Sequence, residues 1–563
     1  MSDTAILSPI RDALAAAAAA VVGQPAPEVI LSPPAKPEMG DLASPLAMTL
    51  AKAARRPPRE VAEQIATRLR TDAANAAWLA DVEVAGPGFL NLRLTGDWFA
   101  ATGAAIAARG RDFGAKCALP RKRILMEYVS ANPTGPPHVG HARQAAYGDS
   151  LARMLRFGGH SVAREYYIND YGRQMRLFGA SIAARYAQLC GREVAVPEDG
   201  YRGDYVIEIA EEARAQMGDG LVDRLDPPDD ELIERFAQAG ERAMLRRIAQ
   251  ELDRFRVEFD TFFSETSLHE NGAVAHVVEE LERRGDAYRA DGALWFRTTT
   301  YGDEKDRVLV RADGASTYLA ADVAYHLEKA SRGDDILIDV LGADHHGYLA
   351  RLQAIIAAGG YPQGTLETVI IQLVSLMERG EAKKMSKRAG TVVTLGDLLD
   401  DIGVDAARFF LVQRSHETAL DLDLDLAREQ SQENPVYYVQ YAHARVCSIL
   451  RQLADSGDDA SEGTAVVEQG AGSADLDVAE RALTLRLAGW PEALRDAIDR
   501  RAPHRVAAYL IDLARDFHGF YHRCRVVGEP VPVRERRAAL CRATAGVISR
   551  GLDLLGVEAP ESM

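Results

Sequence analysis

The chain has 563 residues, 47% of them hydrophobic, and carries a formal net charge of −17 at pH 7. That length exceeds what one core holds and predicts several domains, while the net acidity argues against a protein that coats nucleic acid through bulk charge. The five cysteines (Cys117, Cys190, Cys447, Cys524, Cys541) are scattered with no C-x-x-C, which excludes a disulfide-stapled fold, gives no cysteine zinc site and fits a reducing cytosol.

In chain order, the N-terminal run "LAAAAAAVVG" follows Asp3 and Arg11 rather than a basic segment. It predicts an Ala-rich surface helix, not a signal peptide. No stretch is long and apolar enough to span a bilayer. Further on, "VEVAGPGFLNLRL" sets a Gly86-Pro87-Gly88 turn before Phe89, Asn91 and Arg93, which alternate with Leu90, Leu92 and Leu94 as in a strand. Residues 1–110 are expected to form a small α+β domain.

Across 118–430 the pattern changes to apolar runs separated by helical stretches: "RILMEYV", "VAREYYI", "ILIDVLG" and "TVIIQLVSLM". Near-continuous apolar strands predict an α/β domain with a doubly wound parallel sheet covered on both faces. A charged, helical stretch at about 180–290 reads as an insertion between two half-sheets. From 432 to 563 the chain is expected to be all helical; Val439, Ala442, Val446, Ile449, Leu450 and Leu453 recur at helical spacing and leave Tyr438, Tyr441 and Arg445 on another face. The acidic "DSGDDASEGTAVVEQGAGSADLD" has the composition of a loop. Between Arg481 and Arg550 stand 14 arginines, no lysine and 7 acids, suiting either a phosphate-binding face or an ordinary solvated one.

There is no repeat, no P-loop and no G-x-G-x-x-G opening a helix after a strand, so any nucleotide is held another way. In "SANPTGPPHVGHARQ", His138 and His141 flank Gly140 after a strand and before a helix. That junction favours phosphate, because a helix N-terminus offers free N–H groups and a positive dipole end. A surface histidine pair or half a metal site stays open for an isolated H-x-x-H. Late in the same region, "EAKKMSKRAGTVVTL" places Lys383, Lys384, Lys387 and Arg388 in a small-residue loop that could clamp a polyphosphate.

Together, His138-Val-Gly-His141 and Lys384-Met385-Ser-Lys387 resemble the two signatures of class I aminoacyl-tRNA synthetases. Within that class, "MEYVSANPTGPPHVGHARQAAYGD", "YYINDYGRQM", "STYLAADVAYH", "GADHHGY", "KKMSKRAGT" and "NPVYYVQYAHAR", with "KPEMGDLASPLAMTLAK" and "AGPGFLNLRL" near the start, resemble the arginyl-tRNA synthetase family along nearly the whole chain.

The resemblance implies a Rossmann-type catalytic domain, an extra N-terminal domain that touches the tRNA elbow, and a helical anticodon-binding domain. Its substrates would be ATP with accompanying Mg2+, L-arginine and tRNA(Arg), acting in a cytoplasmic monomer without bound zinc or a membrane partner. By position it puts Pro137, His138, Gly140, His141, Gly342, Asp344, His345, Lys384, Met385 and Lys387 at ATP. His138, His141, Lys384 and Lys387 would be catalytic. Glu127, Ser130, Asn132, His141, Tyr318, Asp322 and His346 would surround arginine, and Phe89, Asn91, Tyr438, Tyr441 and Arg445 would meet tRNA.

The chemistry of the residue types agrees in part. A planar cation is well read by carboxylates, and Tyr318 and Asp322 share a helix face at i, i+4; Asp322 could instead pair with Lys329 or Arg332. Tyr438 and Tyr441 suit unstacked bases or packing between helices. Two other classes are weighed: a shorter nucleotidyltransferase with the same H-x-G-H phosphate site, and a tRNA-binding paralogue that has lost a signature residue. The length and both intact signatures speak against them.

Overall fold

The computed structural model describes residues 6–225, 229–383, 393–455 and 476–563. Lys384, Met385, Lys387, Arg388 and most of the acidic stretch, residues 456–475, lie outside the described residues. The chain divides into two compact units: one comprises Met1–Leu119, Phe157–Gly159 and Gln430–Met563, the other Pro120–Arg156 and His160–Glu429.

In the first unit, the Ala-rich run is a helix, Ser8–Val22, that buries Ile10, Leu14 and Ala18 along one stripe and ends on left-handed Gly23. It packs against the helices Leu46–Ala54 and Pro58–Thr71, which lie on an antiparallel sheet of β1 (Leu42–Ser44), β2 (Leu79–Ala85) and β3 (Phe89–Leu94) in the order β1-β3-β2. Gly88 in the β2–β3 turn has φ +138°, and a Cβ there would sit 2.9 Å from the Pro58 carbonyl carbon, so no side chain fits. The helix Gly96–Arg109 lies on the C-terminal helix Val531–Leu554, where Gly103 lets Leu540 approach to 3.1 Å of a would-be Cβ. The N-terminal residues therefore share their unit with the C-terminal helices. Buried Trp490 donates to the Phe113 carbonyl at 3.0 Å, and Arg481 pairs with Asp41 at 2.8 Å.

The second unit is built on five parallel strands, β4 (Arg123–Glu127), β5 (Ser161–Ile168), β6 (Thr261–Ser264), β10 (Ile336–Gly342) and β11 (Leu366–Ile371), ordered β11-β10-β4-β5-β6. A separate antiparallel sheet holds β7 (Ala287–Ala290), β8 (Ala293–Phe296) and β9 (Arg307–Val310). Because β4 is followed outward by β5 on one side and by β10 on the other, the order reverses between β4 and β10. Ligands bind outside the carboxyl ends of strands at such a crevice.

Two expectations change here. The stretch at about 180–290 contributes helices Asp204–Met217 and Asp230–Arg254, but it also contains β6, an edge strand of the main sheet paired with β5. The run "TVIIQLVSLM" is not one strand: it breaks at Gln372-Leu373 into β11 and β12 (Val374–Glu378), the latter in a small sheet with β13 (Glu381–Ala382) and β14 (Leu420–Asp423). Arg143 explains the break. Its guanidinium is fully inside and donates to the carbonyls of Gln372 (2.8 Å), Thr418 (2.9 Å) and Ser415 (3.0 Å), drawing the chain away from the ladder.

Candidate functional site

After β4 and the connecting residues 128–138 the helix Val139–Gly158 begins, so His138 stands at its mouth and His141 in its first turn. The two imidazoles stack with centroids 3.8 Å apart. The Gly140 N–H points at His138 Nδ1 at 3.1 Å, and a Cβ on Gly140 would meet the same ring at 3.0 Å. Space for the histidine ring thus explains the glycine directly.

Thr394 and Leu395 pair with this mouth: His138 and Thr394 form an antiparallel bridge, and Leu395 N–H donates to the Pro137 carbonyl at 2.8 Å. Thr394 and Asp397 then cap the next helix reciprocally. Thr394 and Leu395 therefore lie beside His138, while Lys384, Met385 and Lys387 lie outside the described residues.

Across the sheet, register places three carboxylates in one row: Asp339 on β10 opposite Glu127 on β4, and Glu127 opposite Glu165 on β5. Three bare charges side by side would repel, and one helix, Tyr318–Ser331 with the residue after it, supplies the answer. The buried Lys329 ammonium donates to Glu127 at 2.7 Å and Asp339 at 2.6 Å; His326 lies 3.0 Å from Asp339, and Arg332 pairs with Glu165 at 2.5 Å. Tyr325 OH sits 2.9 Å from Glu127 and 2.7 Å from Glu165 with one proton to give. Positions 325, 326, 329 and 332 share a helix face. Burial pushes the Asp339 carboxyl up, but Lys329 and His326 outweigh it and hold it well below the usual range.

The same helix carries Tyr318 and Asp322 in its first turns. Asp322 pairs with neither Lys329 nor Arg332; its carboxylate accepts from Tyr348 OH. Burial raises its pKa, with Glu127 adding to the rise and Tyr348 opposing it. Glu265, almost wholly inside, is pushed up to about 7 by burial and by Asp322 and Asp170, against a hydrogen bond from Tyr167. Two mutually repelling carboxylates among Tyr167, Tyr325 and Tyr348 form a place where a cation is favoured. Tyr318 itself is 58% exposed.

Glu127 is more committed than the sequence implied. Oε1 accepts from Ser130 at 3.0 Å, and Oε2 faces Tyr325 and Lys329. Ser130 Oγ also accepts from Tyr167 N–H at 3.2 Å, and Asn132 donates to Gln174 at 2.7 Å. At the end of β10, Gly342 is crowded by Asp344 Oδ1 and the Gln144 amide, 2.6 and 3.0 Å from a would-be Cβ. Asp344, His345 and His346 are exposed, with His345 3.6 Å from Asp344. Among the described residues no group of three or more His, Cys, Asp or Glu could hold a metal ion.

Nothing local in the sequence marks Glu265, Tyr348 or Gln144 as functional, and Lys329 enters there only as an alternative partner of Asp322. Tyr348 lay inside the quoted "GADHHGY", whereas Glu265 had no motif around it.

In the first unit, Arg445 lies between the rings of Tyr441 and Tyr521, at 4.6 and 4.3 Å, and Tyr437 stacks on Tyr441. His518 packs against Tyr438 and Tyr441, its pKa lowered to about 4 by burial and by Arg445 and His522. Phe89 is 37% exposed, while Asn91 is buried with its Nδ2 unpartnered. Much of the arginine-rich run is engaged in ion pairs: Arg486 with Asp516 at 2.6 Å, Arg505 with Asp496 at 2.5 Å, Arg523 with Asp477 at 2.9 Å and Arg536 with Glu480 at 3.1 Å. Among the described residues no helix is long and apolar enough to cross a membrane.

Comparisons with known proteins match three family models in succession: the arginyl tRNA synthetase N terminal domain over residues 5–94, the catalytic domain of tRNA synthetases class I (R) over 104–434, and the DALR anticodon binding domain over 439–563. A curated arginine–tRNA ligase of Symbiobacterium thermophilum is 46% identical, covering 99% of both chains, and that of Bacillus subtilis is 43% identical over 95% of both. The solved Thermus thermophilus arginyl-tRNA synthetase superposes with a TM-score of 0.74 at 24% identity, covering 99% of this chain and all of its own, which speaks to the fold.

Proposed function

Because the chain belongs to the arginyl-tRNA synthetase family and is an arginine–tRNA ligase, we propose that the crevice between β4 and β10 is where L-arginine and ATP meet. The enzyme activates arginine with ATP to arginyl-adenylate, releases pyrophosphate, and transfers arginine to the 3′-terminal adenosine of tRNA(Arg). In this reading Asp322 and Glu265 take the guanidinium, with Tyr318 and His346 at its rim. Glu127 contributes from beneath through its remaining lone pair. Ser130 and Asn132 face the α-amino end. The observation that carries the assignment is geometric: Asp322, half-buried and held by Tyr348 OH, shares the crevice with buried Glu265, and burial raises both carboxyls, which a planar cation would relieve.

His138 and His141, at a helix mouth with Pro137 and Gly140, face the ATP phosphates, and Gly342, Asp344 and His345 the ribose and base. Mg2+ arrives with ATP as part of the substrate. The arginine carboxylate attacks the α-phosphorus in line and pyrophosphate leaves. The protein's work is positioning and stabilising the negative charge that develops, by imidazole donors and by Lys384 and Lys387 with Met385 between them. The Tyr437, Tyr441, Arg445 and Tyr521 stack, with Tyr438 beside it, suits unstacked anticodon bases, and exposed Phe89 the tRNA elbow, with buried Asn91 behind it rather than in contact. A cytoplasmic monomer completes the proposal.

Arginine-dependent pyrophosphate exchange, run with and without tRNA, tests the site assignment. His141→Ala should lower the exchange rate with the arginine KM near wild type; a raised arginine KM at an unchanged rate would move His141 out of the phosphate site.

A further inference from the structure

Between the two halves of the crevice lies a strained turn. The Ser130 N–H donates to the Tyr128 carbonyl at 3.0 Å, closing a three-residue γ-turn centred on Val129. Val129 has φ +71° and Ser130 φ +41°. A β-branched residue in that region is a true outlier, costing about 1–3 kcal/mol, and persists only where its surroundings hold it.

The holding group is the Gln144 side chain, one turn along the helix from His141. With the amide set so that both neighbours are satisfied, Nε2 donates to the Val129 carbonyl at 3.2 Å and Oε1 accepts from the Gly342 N–H at 3.2 Å. The opposite setting would put oxygen against oxygen and N–H against N–H. One side chain therefore ties the end of β4 to the end of β10, the two strands between which the sheet order reverses, and Gly342 has room for that amide because it lacks a Cβ.

We propose that Gln144 is a positioning residue for both substrates. It holds the strained Val129–Ser130 turn that sets the arginine side, and it fixes the distance from that turn to the Gly342 N–H on the ATP side. The inference rests on the assignment of arginine and ATP to these two sides. It also predicts why the histidine-bearing helix matters beyond its histidines: its next turn aligns the attacking carboxylate with the phosphate.

The test is steady-state pyrophosphate exchange by the full chain carrying Gln144→Met, Gln144→Glu or Asp322→Asn, with melting temperatures measured alongside. Gln144→Met keeps the length and loses both hydrogen bonds; the arginine and ATP KM values should each rise roughly three- to tenfold, the range for one lost neutral hydrogen bond. Gln144→Glu keeps an acceptor for Gly342 but offers Val129 no donor, so its arginine KM should rise more than its ATP KM. Wild-type KM values for both Gln144 variants would overturn the proposal, as would a loss of kcat that merely follows a fall in melting temperature. Asp322→Asn separates the premises: if it leaves the arginine KM unchanged, the site assignment fails; if it raises that KM while Gln144→Met does not, only the role of Gln144 fails.

Discussion

Glu127 and Asp339 stand side by side as register partners on adjacent parallel strands, and the Lys329 ammonium bonds both, at 2.7 and 2.6 Å. The buried lysine bridges two carboxylates that would otherwise repel, and His326, 3.0 Å from Asp339, faces the charge that remains. It also docks the helix whose first turns carry Tyr318 and Asp322, so the position of the candidate guanidinium reader depends on a charge pair beneath it.

Lys329→Met should accordingly cost about 3–5 kcal/mol, because two carboxylates lose their common partner inside the protein. Denaturant unfolding checks this. The double variant Lys329→Met/Glu127→Gln should recover part of the loss, since one of the orphaned charges is gone; equal stability of Lys329→Met and wild type would contradict the account.

Arginine binding should weaken as pH falls through about 7, where Glu265 takes up a proton. The arginine guanidinium stays charged throughout, so the pH profile of kcat/KM for arginine reports the free enzyme's carboxyls. Glu265→Gln should flatten that profile. The linked effect on stability has the opposite sign to that of a paired carboxylate. The folded pKa is raised, so without arginine the protein loses stability as pH rises from the ordinary value of 4.5 to about 7. Thermal melts of the free protein between these limits would show it.

The strand runs and the two signature motifs were readable because each is local: apolar runs report buried parallel strands, and His138 and His141 are neighbours in the chain. The site's other half was not local. Lys329, Asp339 and Glu127 acquire their meaning only through register between strands. Glu265 sits just after β6, whose four residues Thr261–Ser264 are too short and too open to announce a strand. Asp322 was singled out, but its partner Tyr348 comes from a different segment, and the alternative partners Lys329 and Arg332 proved to serve the carboxylate row. The break at Gln372-Leu373 was hidden because Arg143, its cause, lies far upstream.

Arg445→Ala should raise the KM for tRNA(Arg) about five- to thirtyfold, the loss of a guanidinium packed between two aromatic rings that would otherwise support a base. Arginine and ATP KM values should not change. Aminoacylation kinetics with varied tRNA distinguish this from a packing role, in which melting temperature would fall while the tRNA KM stayed constant.

His141→Ala should slow adenylate formation roughly ten- to a hundredfold in single turnovers, the effect of one donor that tightens in the transition state. A wild-type chemical rate in that variant would remove His141 from the phosphate site.

In the proposed site the carboxylates of Asp322 and Glu265 select arginine by its guanidinium. The most direct measurement is charging of total tRNA with each of the twenty amino acids by the wild-type enzyme and by Asp322→Asn. The account predicts that the wild type attaches arginine alone and that Asp322→Asn raises the arginine KM about ten- to a hundredfold, the range for a charge-assisted bond, with the ATP KM unchanged. Attachment of another amino acid by the wild type, or an unchanged arginine KM in Asp322→Asn, would contradict it.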